Sequence, residues 1–291
     1  MLTTRTTLDD EAALWTFQRD GFVVLRGLLD IEGDIRPLQR DLAGLMARVA
    51  GIVGAAHVAS EDPDAFDRGF IELVARDPRA SGLVYDMAKA LVPFRRLCVH
   101  DRIVSAFLAL RAAQLCGAAD QMCGVRIDRP DNGFRSPWHQ EFPSLFRSLD
   151  GITFWTPLTP MTEEMGPMLL AAGSHRDGIH RIDAGEGTEA EMASGGYANF
   201  RIENEEAVLA RHEVVAPLIA MGDVVALDFR TLHRSGVNRS QRTRWSAQMR
   251  LMSFDDPVGA DLGWTGGIKS GKTVRDINAL IDRANAVAKG R

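Results

Sequence analysis

Apolar residues recur at three- and four-residue spacing from about position 31 to 117, in stretches such as ARDPRASGLVYDMAKALVPFRRL and DRIVSAFLALRAAQL. That period predicts amphipathic helices, punctuated by Pro63, Pro78 and Pro93. Before them, DDEAALWTFQRD (9–20) reads as a helix with acidic residues at its start, and GFVVLRGL (21–28) as a short apolar strand. Near position 120 the pattern changes to short β-branched or aromatic runs split by Gly and Pro. They predict strands over 122–128, 151–158, 167–172, 213–219, 223–229 and 244–254. The polar, Gly-rich stretch GEGTEAEMASGGYANFRIENEE (185–206) is too long for a plain connection and reads as a functional loop or lid. The tail from 273 to 290 is helical again. Helices first and many short strands afterwards predict an α+β fold around an antiparallel sheet or barrel.

Composition narrows the function. A chain of 291 residues, 45% hydrophobic and 25% charged, is that of a soluble globular protein of one large or two ordinary domains. Its net charge of −5 argues against a nucleic-acid partner. Lys89, Lys269, Lys272 and Lys289 are the only lysines, so arginine, suited to bidentate carboxylate recognition, dominates the cations. Cys98, Cys116 and Cys123 are too few and too irregular for a disulfide framework or a thiolate zinc site, which favours a reducing, cytoplasmic compartment. The first residues lack a secretory apolar segment, and no apolar run approaches the roughly 18 residues of a membrane span.

Of seven histidines, two stand in a pattern with chemistry. In SPWHQEFP, His139 and Glu141 are two residues apart, so an extended backbone turns both to one face. His233 follows the apolar strand DVVALDF, 94 residues after His139. Two imidazoles and a carboxylate are the facial ligand set of non-haem Fe(II), with three positions open. Arg244, eleven residues after His233, is placed to grip a dicarboxylate by two parallel hydrogen bonds, and Ser235 to add a hydroxyl. Arg242 would share that face in an extended strand and is the rival to Arg244; Ser235 could instead cap a turn. An isolated H-x-E is weak, since most such matches are surface residues.

These segments resemble the phytanoyl-CoA dioxygenase family of Fe(II)/2-oxoglutarate oxygenases. The matching phrases are RDGFVVLRGLL (19–29), WHQE (138–141), TEEMGPMLLAAGSHRDG (162–178) and GDVVALDFRTLHRSGVNRSQRTRWSAQMR (222–250), in the family's order. The resemblance implies a double-stranded β-helix (jelly-roll, cupin-like) core flanked by helices. It implies one oxygenase domain over 1–291: a mainly helical flank to about 118, the core over about 119–256, and a C-terminal loop and helix. It implies iron on His139, Glu141 and His233, and 2-oxoglutarate on Arg244 and Ser235. The activity implied is O2-dependent hydroxylation of an unactivated C–H bond in a small molecule, releasing succinate and CO2. Two departures stand out. Glu141 replaces the family's usual Asp, and AAGSH (171–175) its frequent PGSH. Halogenating relatives carry a small residue at the carboxylate position, so Glu141 argues for hydroxylation.

Around this set, Arg126, Phe142, Arg147, Trp155 and His175 are candidates for supporting the ligands or touching substrate. His175 has a plainer role in fixing the Gly-Ser-His turn, and the aromatics a plainer role as core. Phe134, Arg135 and Phe146, with Tyr197, Asn199 and Phe200 of the lid, complete a mixed aromatic and arginine set suited to a small organic acid or an amphipathic metabolite. His57, His100, His180 and His212 have no matched partner and are read as structural or surface residues. GGIKSGKT (266–273) matches a P-loop literally, but no buried strand precedes it and only 18 residues follow, so it reads as a loop before the last helix. The competing functions are a cupin-type metalloenzyme that does without 2-oxoglutarate, expected if Arg244 points away, and a catalytically silent metabolite binder.

Overall fold

The computed structural model describes residues 11–57, 60–119, 122–130, 136–145, 147–184, 200–266 and 272–289. Helix α1 (Glu11–Asp20) ends at Gly21, whose φ of 79° suits a residue without a Cβ. A Cβ there would lie 2.4 Å from both His175 Nδ1 and Thr231 Oγ1, so the chain enters strand β1 (Phe22–Leu25) pressed against two distant turns. Helices α2 (Arg36–Ile52), α3 (Phe70–Arg76), α4 (Arg79–Ala88), α5 (Val92–Cys98) and α6 (Asp101–Arg111) follow. Pro78 and Pro93 stand at the starts of α4 and α5, and Pro63 opens a short 3-10 turn, where a missing N–H costs nothing.

The strands are β2 (Cys116–Ala118), β3 (Gly124–Asp128), β4 (Gly151–Pro157), β5 (Leu169–Ala171), β6 (Ile182–Ala184), β7 (Phe200–Ile202), β8 (Val214–Val215), β9 (Val224–Asp228), β10 (His233–Arg234) and β11 (Arg244–Ser253). They pair antiparallel, as β1-β9-β4-β11-β2 with β3 also on β11, as β10-β5-β8, and as the ribbon β6-β7. The fold is therefore α+β with antiparallel sheets. Strand β11 organises the larger sheet. Residues 246–252 of this ten-residue strand pair with β4 along one edge, while β3 and β2 share the other edge in turn.

Side-chain alternation divides the sheet's two faces. Trp245, Ala247, Met249 and Leu251 of β11 join Val125, Phe154 and Ala226 in one apolar core with Leu42, Phe70, Phe94 and Phe107 of the helices. Phe66 and Phe70 meet Trp245 edge-on, with ring centroids 5.2 and 5.1 Å away. The opposite face carries Trp155, Val225 and Leu227, which pack with Leu170 of the smaller sheet. Three short helices, α7 (Phe142–Leu145), α8 (Glu205–Leu209) and α9 (Pro257–Asp261), and the longer α10 (Val274–Lys289) also belong to the described elements.

Several expectations need correction. The helical flank ends early, at Ala112 with φ 49°, and the apolar run after it is β2, not helix. Strands β6, β7 and β10 are two or three residues long, too short for alternation to register. The end of the expected lid is the regular β7 and α8, while 185–199 lies outside the described residues. So do 267–271 of the P-loop-like segment, but Thr273 is accounted for: it caps α10, accepting from Asp276 N at 3.2 Å and donating to Asp276 Oδ2 at 2.7 Å.

Asp228, at the end of β9, is buried between Arg111 and Arg230, each 2.8 Å away. Burial alone would raise its carboxyl pKa, but the two arginines outweigh it and hold it well below the usual range. A depressed carboxyl contributes stability above its unfolded pKa, about 3.9, and that stability is lost as pH falls below it. Asp228→Asn is expected to cost about 3–5 kcal/mol at pH 7 by removing the buried carboxylate that the partly buried Arg111 and Arg230 share. The gap to wild type in urea melts should narrow below about pH 4.

Candidate metal centre

His233 sits in a two-residue strand in register with Leu170 and also forms an isolated antiparallel bridge to His139. Their backbones exchange both hydrogen bonds, 3.1 Å each, which sets the two imidazoles side by side with centroids 4.2 Å apart. Glu141 is then anchored by its own N–H to Phe229 O at 2.8 Å. The result is convergence: ligand atoms of His139, Glu141 and His233 all lie within 4.8 Å of one another.

Both rings are oriented in the same way. His139 Nδ1 lies 2.8 Å from Pro137 O, and His233 Nδ1 lies 2.9 Å from Thr231 O, each carbonyl two residues upstream. A carbonyl only accepts, so each Nδ1 carries the proton and each Nε2 offers a lone pair. Burial, followed by the neighbouring His233, pushes His139 down to about 3, so it is neutral at pH 7. Burial would raise Glu141, but Arg250 and His233 outweigh it and keep the carboxylate ionised. Two imidazoles turned the same way, that of His139 neutral, and an anionic carboxylate, beside a pocket, fit a divalent iron ion in donor type.

The opposite wall belongs to β3 and β11. Arg244, Gln248 and Arg250 line the pocket with Arg126, Asp128, Ser136, Trp155, Met168, Arg234 and Ser235. Arg244 pairs with Asp128 at 3.0 Å and donates to Met165 O at 3.3 Å and to Gly166 O, while its buried Nε has no hydrogen-bond partner. Gly166, at φ 68°, lies against the 236–237 backbone; a Cβ there would lie 2.3 Å from Val237 O. Arg126 joins the same wall, 2.9 Å from Asp128 Oδ1 and 3.3 Å from Ser235 Oγ. Burial opposes ionisation of Asp128, but Arg126 and Arg244 prevail and lower its pKa.

The candidates separate clearly. His139, Glu141, His233, Arg244 and Ser235 come together, and Trp155 and Arg126 line the same pocket. Arg242 does not: it reaches the helical side, to Asp64 O at 2.7 Å and Asp67 at 3.2 Å. Strand pairing begins only at Arg244, so two-residue alternation fails across that boundary. His175 also lies outside the pocket, packed at Gly21 with Nε2 3.1 Å from Gln18 O. Phe142 is fully buried in a separate core with Phe229, Val258 and Ile277, and Arg147 is half-buried away from the pocket lining. His100 pairs with Asp34 and caps α6, and His212 pairs with Asp177, both structural contacts. Phe134, Arg135, Phe146, Tyr197 and Asn199 lie outside the described residues; Phe200 enters only as backbone of β7.

Asp128, Gln248 and Arg250 were missed by the sequence reading. The signal was present, since counting by two from Arg244 along β11 reaches Gln248 and Arg250.

Comparison with known proteins gives a consistent picture. The model of the family described as Phytanoyl-CoA dioxygenase (PhyH) matches residues 17–246. The ectoine dioxygenase of Halomonas elongata is 27% identical over 250 residues, 81% of this chain and 68% of that protein. Among solved structures, the epimerase SnoN in complex with Fe3+, alpha ketoglutarate and nogalamycin RO superposes with a TM-score of 0.56 at 19% identity, covering 87% of this chain and 88% of that one. EctD from S. alaskensis with 2-oxoglutarate and 5-hydroxyectoine gives 0.52 at 18% identity, covering 87% and 80%. At such identities the structural likeness is one of fold.

Proposed function

The chain belongs to the phytanoyl-CoA dioxygenase family, and on that footing we propose that it is an Fe(II)- and 2-oxoglutarate-dependent dioxygenase. It hydroxylates an unactivated C–H bond of a small-molecule metabolite and releases succinate and CO2. The observation that carries this reading is the convergence of His139, Glu141 and His233 beside the pocket that His139, His233 and Arg244 line. A small-molecule substrate is in keeping with an ectoine dioxygenase among the relatives.

His139 and His233 hold the iron through their Nε2 atoms and Glu141 through its carboxylate. Bound iron with 2-oxoglutarate supplies the activation of O2 that C–H cleavage requires. The chain's own residues supply position and dryness. Pro137 O and Thr231 O keep both imidazoles turned inward. Arg244 is the anchor for the distal carboxylate of 2-oxoglutarate, with Ser235 adding its hydroxyl. Its present partner, Asp128, is shared with Arg126, which leaves this wall one positive charge in excess for an anionic co-substrate. Trp155 and Met168 close the wall against water. Because Arg244 lines the pocket, use of 2-oxoglutarate is favoured over a cupin-type metalloenzyme that lacks it. The complete ligand set favours an enzyme over a silent binder.

We read the two facing sheets as a double-stranded β-helix, the jelly roll, with the helices packed on the outside of its larger sheet and 1–291 as one oxygenase domain. Its three cysteines form no disulfide, which suits a cytoplasmic setting, and among the described residues no helix is long and apolar enough to cross a membrane.

Anaerobic addition of Fe(II) and 2-oxoglutarate to folded protein is expected to produce a visible metal-to-ligand charge-transfer band, and its absence overturns the proposal. His233→Ala should abolish the band. Arg244→Ala should weaken 2-oxoglutarate roughly 10- to 100-fold in titrations of that band, the loss of a charge-assisted pair. Arg242→Ala should leave the affinity unchanged; the opposite ranking would move the anchor to Arg242.

A further inference from the structure

Arg250 stands deep in β11, 6% exposed, and its Nη2 lies 2.5 Å from Glu141 Oε1. The same carboxylate oxygen faces His233 Nε2 at 3.6 Å. Arg250 is itself tied down, donating from Nη2 to Gln248 Oε1 at 3.1 Å and from Nη1 to Met122 O. Glutamate has one more side-chain torsion than aspartate, so its carboxylate sweeps a wider arc and loses more freedom when held. A fixed planar guanidinium removes that freedom by a short, charge-assisted bond. We propose that Arg250 is a positioning residue that sets the Glu141 carboxylate toward the two imidazoles, so that a glutamate serves as the third metal ligand. The inference rests on the metal site proposed above. It assigns Arg250 to the metal, not to 2-oxoglutarate, although it lines the same pocket as Arg244.

A purely structural ion pair predicts something different. It stabilises the fold and leaves metal affinity alone. Electrostatic repulsion between Arg250 and a divalent ion predicts the reverse sign, tighter binding once the guanidinium is gone. Positioning predicts weaker binding and an altered ligand field.

The test uses the full chain and cobalt(II), whose visible spectrum reports ligand geometry without turnover. Wild type, Arg250→Gln, Arg250→Lys, Glu141→Asp and the Arg250→Gln/Glu141→Asp double variant are titrated under argon. Thermal melts establish that each is folded. Arg250→Gln is expected to bind cobalt roughly 10- to 100-fold more weakly, with changed absorption bands. Arg250→Lys, which keeps the charge but not the planar fork, should recover part of the loss, and it carries the test alone if the glutamine variant does not fold. In the Glu141→Asp protein the shortened carboxylate no longer reaches Arg250, so adding Arg250→Gln should change affinity by less than about twofold. Unchanged or tighter cobalt binding in Arg250→Gln overturns the proposal. So does an equal loss in the Glu141→Asp background, because Arg250 would then act without Glu141. If wild type takes up no cobalt, the metal site itself falls, a result distinct from these.

Discussion

Everything at this site depends on one backbone contact, the antiparallel bridge between residues 139 and 233. Neither residue belongs to a long strand. His233 opens a two-residue strand and His139 has no named strand at all. Two hydrogen bonds between them, reinforced by the pairing of His233 with Leu170, join segments 94 residues apart. Side-chain direction then follows from backbone geometry. Both imidazoles share a face, and each Nδ1 finds the carbonyl two residues back. The inward Nε2 atoms are a consequence of strand pairing, not a separate arrangement.

The larger sheet provides the other half by being two-faced. Along β11 Trp245, Ala247, Met249 and Leu251 are apolar and pack on the helices, while Arg244, Gln248 and Arg250 turn into the pocket. Burying arginine is costly unless it is paired. Each buried guanidinium here has a carboxylate: Arg244 shares Asp128 with Arg126, and Arg250 meets Glu141. The wall can therefore be charged and dry at once, a setting in which an ionic partner is held firmly.

Much of this was legible in the sequence. The H-x-E pair and the distal histidine marked the candidate ligand set, because two-residue spacing in an extended chain turns both side chains to one face, and the basic phrase after His233 offered Arg244 and Arg242 as the candidate cation. Short β-branched and aromatic runs also located β4, β9 and β11. Where elements are short the pattern has no room to repeat. Hence β6, β7 and β10 went unseen, and the apolar run at 116–118 was read as helix. Phe142 follows Glu141 directly in sequence yet turns into a separate core, while His175 takes the plainer of its two readings and packs at the Gly21 turn.

By itself, then, the sequence marked the α+β class of fold and the candidate ligands with the chemistry they suit, since residue type and local spacing decide those; that His233 converges with His139 and Glu141 was decided by the long-range strand bridge. Only the tertiary structure decided which arginine enters the pocket. Arg242 and Arg244 are equivalent by spacing, and they part because strand pairing starts between them, at Arg244 opposite Asp128. It also decided the partner of Glu141. Arg250 lies 109 residues away, and only the register of β11 against β4 and β3 brings its guanidinium to that carboxylate. Long-range pairing of this kind depends on register, which no local pattern encodes.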